Sequence, residues 1–260
     1  MTKTPHILTE RANGIGIITI SRPDKRNALD ESTHLELLDA FEAMRNDTQV
    51  RVVVLTGTGK AFVSGVDVHE FVGQSPVDML DRLLRQPSAI EKADSFPKPL
   101  IAMINGYCLG SGNELAMACD IRIASEDAKF GQPEINLGMI PGGGATQRLP
   151  RLVGLGKALW MLYSGAILDS SDAYRMGLVD LVVPREQLRA RTMTLAGMIA
   201  TKSAVALAMI KEAARASVRA PLDGGIRHEQ SLASVVFASK DMQEGLRAFL
   251  EKRQPHFTGE

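Results

Sequence analysis

The segment Ile104–Asp120 reads INGYCLGSGNELAMACD and restricts the fold more than any other part of the sequence. The apolar run Leu100–Ile104 predicts a buried strand that leads into it, and the glycine-rich stretch Gly106–Gly112 predicts a turn. A helix is expected around Glu114–Ala118. Glycines let backbone N–H groups approach a ligand, and a helix start adds unpaired donors and partial positive charge. The segment therefore predicts a site that stabilises an oxyanion.

Glu114 falls in the first turn of that predicted helix, beside the unpaired donors. One interpretation is a carboxylate favoured there by the helix macrodipole alone. The other is a catalytic acid or base next to the oxyanion site. The local pattern leaves both open.

A second segment, Lys60–Val68, reads KAFVSGVDV. It predicts a buried strand that ends at a sharp glycine turn, with Asp67 just after the turn. Because a Gly-x-Asp triplet is common turn chemistry, we expect Asp67 to cap or brace the turn rather than to catalyse.

The third segment, Phe130–Leu149, reads FGQPEINLGMIPGGGATQRL. Its crowded glycines and prolines predict a shaped backbone instead of a regular element. Pro133 places Glu134 among apolar neighbours, where a carboxyl group has a raised pKa and can move protons near neutrality. The alternative is a structural ion pair between Glu134 and Arg148 or Arg151.

Outside these segments the chain alternates between strand and helix patterns, which predicts an α/β fold. Asp30 is expected to cap a helix, and Gly73–Ser95 is expected to form a helical lid or wall. Further strands are predicted at Ile15–Ile20, Arg51–Leu55 and Ile121–Ala124, the second of them buried on both faces because of its consecutive valines.

The later part of the chain is rich in good helix formers. Helical segments are predicted over Gln187–Ala220 and Ser231–Lys252, with Gly224–Gly225 interrupting them. We therefore expect an α/β core with the active site over residues 1–195 and a helical C-terminal region over residues 196–260.

Composition excludes several classes of protein. With 260 residues, 45% of them hydrophobic, the chain can bury a sizeable core without disulfides or metal. Its 30 basic and 30 acidic side chains give no basic excess for a nucleic acid or an anionic membrane. Two cysteines make no disulfide framework. Since neither a signal peptide nor an apolar run of spanning length stands out, we expect a soluble, cytoplasmic protein.

In order and wording, the three segments resemble the crotonase, or enoyl-CoA hydratase/isomerase, family. The resemblance runs from SRPDKRNAL (Ser21–Leu29) to FLEKRQPHF (Phe249–Phe257) and is most specific over Ala102–Arg148. It implies a crotonase-type spiral of β-β-α units with a helical C-terminal oligomerisation region, assembled as a homotrimer or homohexamer. It also implies an acyl-CoA thioester substrate, no metal, and no cofactor, since coenzyme A is part of the substrate.

The resemblance implies a role for each residue of the site. The backbone N–H groups of Val66 and Ser111 would hold the thioester carbonyl, where the family more often has alanine and glycine. Val66 is expected to trim the pocket, and the role of the Ser111 hydroxyl stays open. Glu114 and Glu134 match the two glutamates of the family's hydratases, with Glu134 as proton donor to C2 and Glu114 as base toward water. Gly142 lies in the segment that positions that water.

The resemblance also places the coenzyme handle. His69, after the first loop, is expected at the pocket entrance or, as a commoner alternative, on the surface or a lid. The expected coenzyme-binding residues are Arg26, Ala28, Ala61, Gly65 and Asp67, together with Phe249 and Lys252 reaching the coenzyme of a neighbouring subunit.

The predicted function is hydration of a 2-enoyl-CoA thioester to the 3-hydroxyacyl-CoA, a lyase reaction. Two alternatives stay within the family: a double-bond isomerase, or a hydratase of a branched or cyclic enoyl-CoA. From another class, a catalytically weak CoA- or RNA-binding relative is opposed by the zero net charge and the two glutamates. The run Gly142–Gly144 alone does not make a nucleotide-phosphate site, because the P-loop pattern is missing.

Overall fold

The computed structural model describes residues 5–85 and 88–260. Residues 86–87 of the predicted Gly73–Ser95 segment lie outside the described residues. Within these ranges the strands are β1 (Ile7–Ala12), β2 (Ile15–Ile20), β3 (Val52–Gly57), β4 (Ala61–Val63), β5 (Leu100–Ile104), β6 (Tyr107–Leu109), β7 (Ile121–Ser125), β8 (Lys129–Gly131), β9 (Ile167–Asp169) and β10 (Leu181–Val183).

The helices of the same ranges begin early in the chain and dominate its last third. They are α1 (Glu31–Asn46), α2 (Pro76–Arg85), α3 (Ala89–Asp94), α4 (Ser111–Ala118), α5 (Ala145–Val153), α6 (Leu155–Ser164), α7 (Ser170–Met176), α8 (Leu188–Ala200), α9 (Ala204–Ala216), α10 (Leu222–Phe237) and α11 (Lys240–Leu250). The strands predicted at Ile15–Ile20 and Leu100–Ile104 are confirmed with these bounds. The other two predicted strands are confirmed with slightly different ends, and α2 and α3 confirm a helical Gly73–Ser95 segment.

The larger sheet has the order β1-β2-β3-β5-β7-β10, with β1 antiparallel to β2 and the remaining neighbours parallel. Successive side chains of a strand point to opposite faces. Val52 and Val54 accordingly join a buried cluster that includes α8, whereas Val53 and Leu55 join the cluster that includes α1. Apolar cover on both faces explains the consecutive valines of β3.

The smaller sheet has the order β4-β6-β8-β9. Three times in succession the chain places one strand in the larger sheet and the next in the smaller: β3 then β4, β5 then β6, β7 then β8. Helices follow each pair, namely α2 and α3, then α4, then α5 and α6. This repeated turn confirms the predicted spiral of β-β-α units.

The predicted cap of α1 is also confirmed. The Asp30 side chain accepts a hydrogen bond from the backbone N–H of Thr33 at 2.8 Å. It thereby satisfies one of the donors that a helix start leaves without a partner.

The prediction that Gly106–Gly112 is only a turn was wrong. Its centre, Tyr107–Leu109, is strand β6, which pairs with β4 and β8. Three residues between glycines are too few to show the alternation that signals a strand, so pairing with neighbouring strands decides the conformation.

Two predictions for the C-terminal region were also wrong. Gly224–Gly225 does not interrupt a helix but lies in the first turn of α10, just after the N-cap residue Pro221. Ser231–Lys252 is not one helix, because Ser239 begins α11 by accepting a hydrogen bond from the N–H of Met242 at 3.1 Å. A serine favours a helix start over a helix interior, and this outweighed the helix-forming composition around it.

The helical part of the structure begins before residue 196, since α8 runs through that position. The division of the chain at residue 195 stays a prediction. No single helix in the described ranges is long and apolar enough to cross a bilayer, although the bent pair Arg185–Ala200 and Ala204–Ala216, at 107°, meets the length and composition test together.

Candidate active site

The three segments singled out in the sequence meet at one edge of the smaller sheet. Strands β4, β6 and β8 are parallel neighbours, so their carboxyl ends lie side by side. Ser64–Asp67 follows β4, Gly110–Ser111 follows β6, and Pro133–Leu137 follows β8 as a 3-10 turn. Open sheets of this kind bind ligands at the carboxyl ends of their strands.

A cavity of about 1440 Å³ opens at this edge. It is large enough for a ligand well beyond the size of a simple metabolite. Of the predicted site residues, those that line it are Gly65, Val66, Ser111, Glu114, Glu134 and Gly142.

The loops that carry Val66 and Ser111 contact each other. Gly65 (φ 123°) and Gly110 (φ 52°) adopt backbone conformations that other residues rarely reach. A Cβ built on Gly110 would lie 3.7 Å from the Cα of Gly65. The residues that follow these glycines are therefore close neighbours at the cavity wall.

The backbone N–H groups of Val66 and Ser111 make no hydrogen bond to another residue in the described part of the chain. Ser111 is the first residue of α4, where an N–H has no partner within the helix. Two free donors thus meet at the wall of one cavity, which is the arrangement that an oxyanion needs.

Glu114 is held by backbone donors of a distant loop. Its Oε1 accepts hydrogen bonds from the N–H groups of Gly143 at 2.8 Å and Ala145 at 2.9 Å. Its side chain is buried, being only 1% exposed. Burial raises the pKa of Glu114, while the two N–H groups and the Arg148 guanidinium oppose that rise. The second oxygen of the carboxyl group is left for other partners.

Glu134 lies in the 3-10 turn Pro133–Leu137. Its Oε2 is buried and has no hydrogen-bond partner among the described residues. Burial raises the pKa of Glu134 to about 7, and the negative charge of Glu114 adds to the rise. The carboxyl group can therefore give or take a proton near neutral pH.

The alternative of a structural ion pair for Glu134 was wrong. Arg148 instead pairs with Asp94, with 3.5 Å between Nε and Oδ1, and donates from Nη1 to the carbonyl oxygen of Gly143 at 2.9 Å. Arg151 donates to the carbonyl oxygen of Gln147 at 2.6 Å. The partners of Arg148 were missed because nothing in the local pattern connects residue 94 with residue 148.

The raised pKa of Glu134 leads to a prediction about the free energy of unfolding. Folding raises this pKa from 4.5 to about 7. The carboxyl group therefore leaves the free energy of unfolding unchanged below about pH 4.5 and lowers it progressively as the pH rises to 7. Glu134→Gln is neutral throughout. We expect it to match the wild type at pH 4.5 and to exceed its unfolding free energy at pH 8 by about 1–2 kcal/mol, after allowing for solvent screening. Urea unfolding at both pH values measures this, and equal stability at pH 8 would contradict it.

The segment that contains Gly142 reaches the site mainly through the residues that follow Gly142. Gly142 itself lies at the cavity, but the donors to Glu114 belong to Gly143 and Ala145. A Cβ built on Gly143 would come within 2.5 Å of Glu114 Oε2, so a larger residue here would displace the carboxyl group. The role of Gly142 toward water stays a prediction.

The backbone near Arg26 and Ala28 lies alongside the Ser64–Asp67 loop. The N–H of Ser64 donates to the carbonyl oxygen of Arg26 at 3.2 Å, and the N–H of Leu29 donates to the carbonyl oxygen of Gly65 at 2.9 Å. Arg26 extends over the ring of Tyr107, 5.4 Å from its centroid. The predicted coenzyme-binding backbone is thus next to the loop of Val66.

Asp67 braces its turn, as predicted. Its carboxylate lies 3.4 Å from Arg22 Nη2 and accepts from the N–H of His69. Ala61 is buried in β4, and His69 is exposed. Neither Asp67 nor Ala61 is part of the cavity lining.

Phe249 lies in the last turn of α11 and Lys252 just after the helix, and neither is among the cavity-lining residues. Both are exposed, Phe249 by 81%. The structure does not bring them to the site of their own chain. Their prediction concerns a neighbouring subunit and stays a prediction. No group of three or more His, Cys, Asp and Glu side chains within residues 5–85 and 88–260 could hold a metal ion.

Comparison with known proteins adds independent information. The family model described as enoyl-CoA hydratase/isomerase matches residues 10–260. A crotonyl-CoA hydratase of Syntrophomonas wolfei is 39% identical over 253 residues, covering 97% of each chain. A 2,3-dehydroadipyl-CoA hydratase of Escherichia coli is 38% identical, covering 97% of this chain and 98% of its own.

Solved structures show the same fold. A structure described as enoyl-CoA hydratase subunit I from Geobacillus kaustophilus superposes with a TM-score of 0.93 at 42% identity, with 98% of each chain covered. The enoyl-CoA hydratase of Bacillus anthracis gives a TM-score of 0.93 at 36% identity, covering 98% of this chain and all of its own.

Proposed function

The chain belongs to the enoyl-CoA hydratase/isomerase family, and we propose that it adds water across the 2,3 double bond of a 2-enoyl-CoA thioester. The observation that carries this proposal is the convergence of two carboxyl groups and two free backbone donors in one cavity. An isomerase needs one carboxyl group placed between C2 and C4. Hydration uses two, one for each proton that moves.

The first part of the proposed step polarises the substrate. The thioester oxygen accepts from the N–H groups of Val66 and Ser111, which draws electron density away from C3. As the oxygen of water bonds to C3, the C2–C3 π electrons move toward the thioester and form an enolate. Donors fixed in place before the reaction stabilise that charge more in the transition state than in the ground state.

The second part moves two protons. Glu114, as the carboxylate, takes one proton from the attacking water. Glu134, as the acid, gives its proton to C2, and the enolate collapses to the 3-hydroxyacyl thioester. Proton transfer from Glu114 to Glu134, directly or through water, restores the starting state. Because two close carboxyl groups titrate together, the active form is the pair with one proton.

Water and the two glutamates account for every proton and electron pair of this step. We therefore propose that the enzyme uses no cofactor beyond the coenzyme A of its substrate. The backbone near Arg26 and Ala28 lies beside the Val66 loop, which supports a place for that coenzyme. The wall formed by α2 and α3 contributes Met79 and Ile90 to the cavity and is proposed to set the acceptable acyl shape.

Loss of the ultraviolet absorbance of the conjugated enoyl thioester tests the proposed function. Purified protein mixed with crotonyl-CoA is expected to remove this absorbance catalytically and to form a product heavier by one water. Absorbance that stays constant with crotonyl-CoA and with longer, branched and cyclic 2-enoyl-CoA thioesters would contradict the proposal.

We also propose assembly as a homotrimer or homohexamer. Large apolar side chains are exposed on the C-terminal helices, including Leu222 (78%), Phe249 (81%) and Leu250 (79%). Apolar surface of this kind marks contact with another protein. Light scattering at micromolar concentration is expected to give a mass that is a multiple of three protomers, and a monomer mass would contradict this prediction.

A further inference from the structure

The guanidinium of Arg148 packs against the loop that carries both hydrogen-bond donors of Glu114. Its Nη1 donates to the carbonyl oxygen of Gly143 at 2.9 Å. A Cβ built on Gly144 would lie 2.2 Å from the same nitrogen, so the guanidinium contacts this backbone directly. A side chain at residue 144 would displace the guanidinium, and the φ of 103° also favours glycine there.

The carbonyl held by Arg148 lies between the two N–H groups that bind Glu114. Gly143 and Ala145 both donate to Oε1, at 2.8 and 2.9 Å. Two donors separated by one residue reach the same oxygen only when the intervening peptide keeps one orientation. Arg148 fixes that orientation from the opposite end of the peptide, at its oxygen.

Arg148 is itself held in place by Asp94 at the end of α3. Asp94 Oδ1 lies 3.5 Å from Arg148 Nε. The same carboxylate pairs with Arg215 of α9 at 3.3 Å and with Arg219, in the turn after α9, at 2.8 Å. Arg215 and Arg219 thus hold Asp94 in place, and Asp94 in turn restricts the Arg148 side chain, which is only 22% exposed.

We propose that Arg148 is a positioning residue for hydration, which holds the N–H groups of Gly143 and Ala145 on one oxygen of Glu114 and leaves the other oxygen for water. This inference rests on the proposed function, in which Glu114 accepts a proton from that water. Arg148 does not touch the reacting atoms in this scheme. It acts through the loop.

The charge of Arg148 has a second consequence. Of the elements packed against α4, α5 carries Arg148 and Arg151, α3 carries Glu91, Lys92 and Asp94, and β4 and β6 contain no Asp, Glu, Lys, Arg or His. Glu91 accepts from the N–H of Ser88, Lys92 pairs with Glu42, Arg151 donates to the carbonyl oxygen of Gln147, and Asp94 pairs with Arg148. On the cavity side, the negative charge of Glu114 raises the pKa of Glu134. Arg148 lowers the pKa of Glu114 against the effect of burial. Removing the guanidinium therefore raises this pKa.

The experiment compares Arg148→Met with Arg148→Lys and with Arg175→Met, the same substitution outside the cavity, as a matched control. Arg175 pairs with Asp172 on α7 and is not among the cavity-lining residues. We expect Arg148→Met to lower kcat for crotonyl-CoA by about 10- to 100-fold through misplaced geometry, with a smaller change in KM. Arg175→Met is expected to stay within about twofold of the wild type, because Arg175 is exposed and lies outside the cavity lining.

The pH profile separates positioning from general loss of structure. In Arg148→Met the acid limb of kcat/KM is expected to shift to higher pH, because Glu114 must lose its proton to act as base. Arg148→Lys keeps the charge, so its acid limb should return toward that of the wild type while kcat recovers only in part. Thermal unfolding and binding of butyryl-CoA show that each variant is folded.

Three results bear on this inference. A lower kcat with a shifted acid limb in Arg148→Met alone supports it. An Arg148→Met variant that matches Arg175→Met in both kcat and pH profile overturns it. If Glu114→Gln keeps full activity, the proposed function fails instead, so the two failures are distinguishable.

Discussion

Replacing Glu134 by glutamine is expected to lower kcat for crotonyl-CoA by on the order of 10²–10⁴, the contribution usual for a positioned general acid. Glutamine keeps the size and polarity of the side chain but has no acidic proton for C2. Binding of a saturated thioester such as butyryl-CoA should change by less than about threefold, because the oxyanion donors and the cavity wall are intact. Steady-state kinetics and calorimetric titration measure the two quantities.

Glu114→Gln is expected to give a similar loss for a different reason. The amide oxygen of glutamine can still accept from Gly143 and Ala145, but the amide cannot take a proton from water. Because the two groups act as one unit, the double variant should lose little more than either single variant. Glu126→Gln, an exposed glutamate outside the site, is the control and should keep full activity. Hydration near the wild-type rate in Glu134→Gln would overturn the two-carboxylate mechanism.

The second large effect is expected from Ser111→Pro, which deletes one backbone donor. Ser111 is the first residue of α4, where proline fits the helix and where the missing N–H breaks no hydrogen bond within it. We expect kcat to fall by about 10²–10³, the usual result of losing one oxyanion donor. The change in KM should be smaller, since the donor acts most strongly in the transition state.

Ser111→Gly is the control for this variant. It removes the hydroxyl but keeps the N–H, and glycine is the residue more common in the family at this position. We expect its kcat to lie within about threefold of the wild type. A Ser111→Pro protein that is folded and as active as Ser111→Gly would mean that this N–H does not bind the thioester oxygen.

Most of the fold follows from short apolar runs and their punctuation. Ile15–Ile20 and Leu100–Ile104 were predicted with correct bounds because buried strands in a covered sheet are continuous in hydrophobicity. Strand β6 was missed because it has only three residues, and its conformation is decided by pairing with β4 and β8. The capping role of Ser239 was missed because a serine within a helix-forming stretch gives no distinct signal.

The candidate site was predictable in its parts but not in its contacts. Glu114 and Glu134 each had a purely structural interpretation, through the helix macrodipole and through an ion pair respectively. Only the resemblance of the whole segment to the enoyl-CoA hydratase/isomerase family favoured catalysis. Their convergence comes from the parallel pairing of β6 with β8, which no local pattern contains. The role of Arg148 depends on Asp94, and two residues 54 positions apart show no periodicity that could connect them.

The central claim is that this protein adds water to C3 and a proton to C2 of a 2-enoyl-CoA. The most direct test is turnover of crotonyl-CoA in water labelled with deuterium and heavy oxygen, with the product analysed by mass spectrometry and nuclear magnetic resonance. We predict a 3-hydroxybutyryl-CoA with the labelled oxygen at C3 and one deuterium at C2. A product without labelled oxygen, with deuterium at C4 or with a shifted double bond, would contradict hydration and indicate an isomerase.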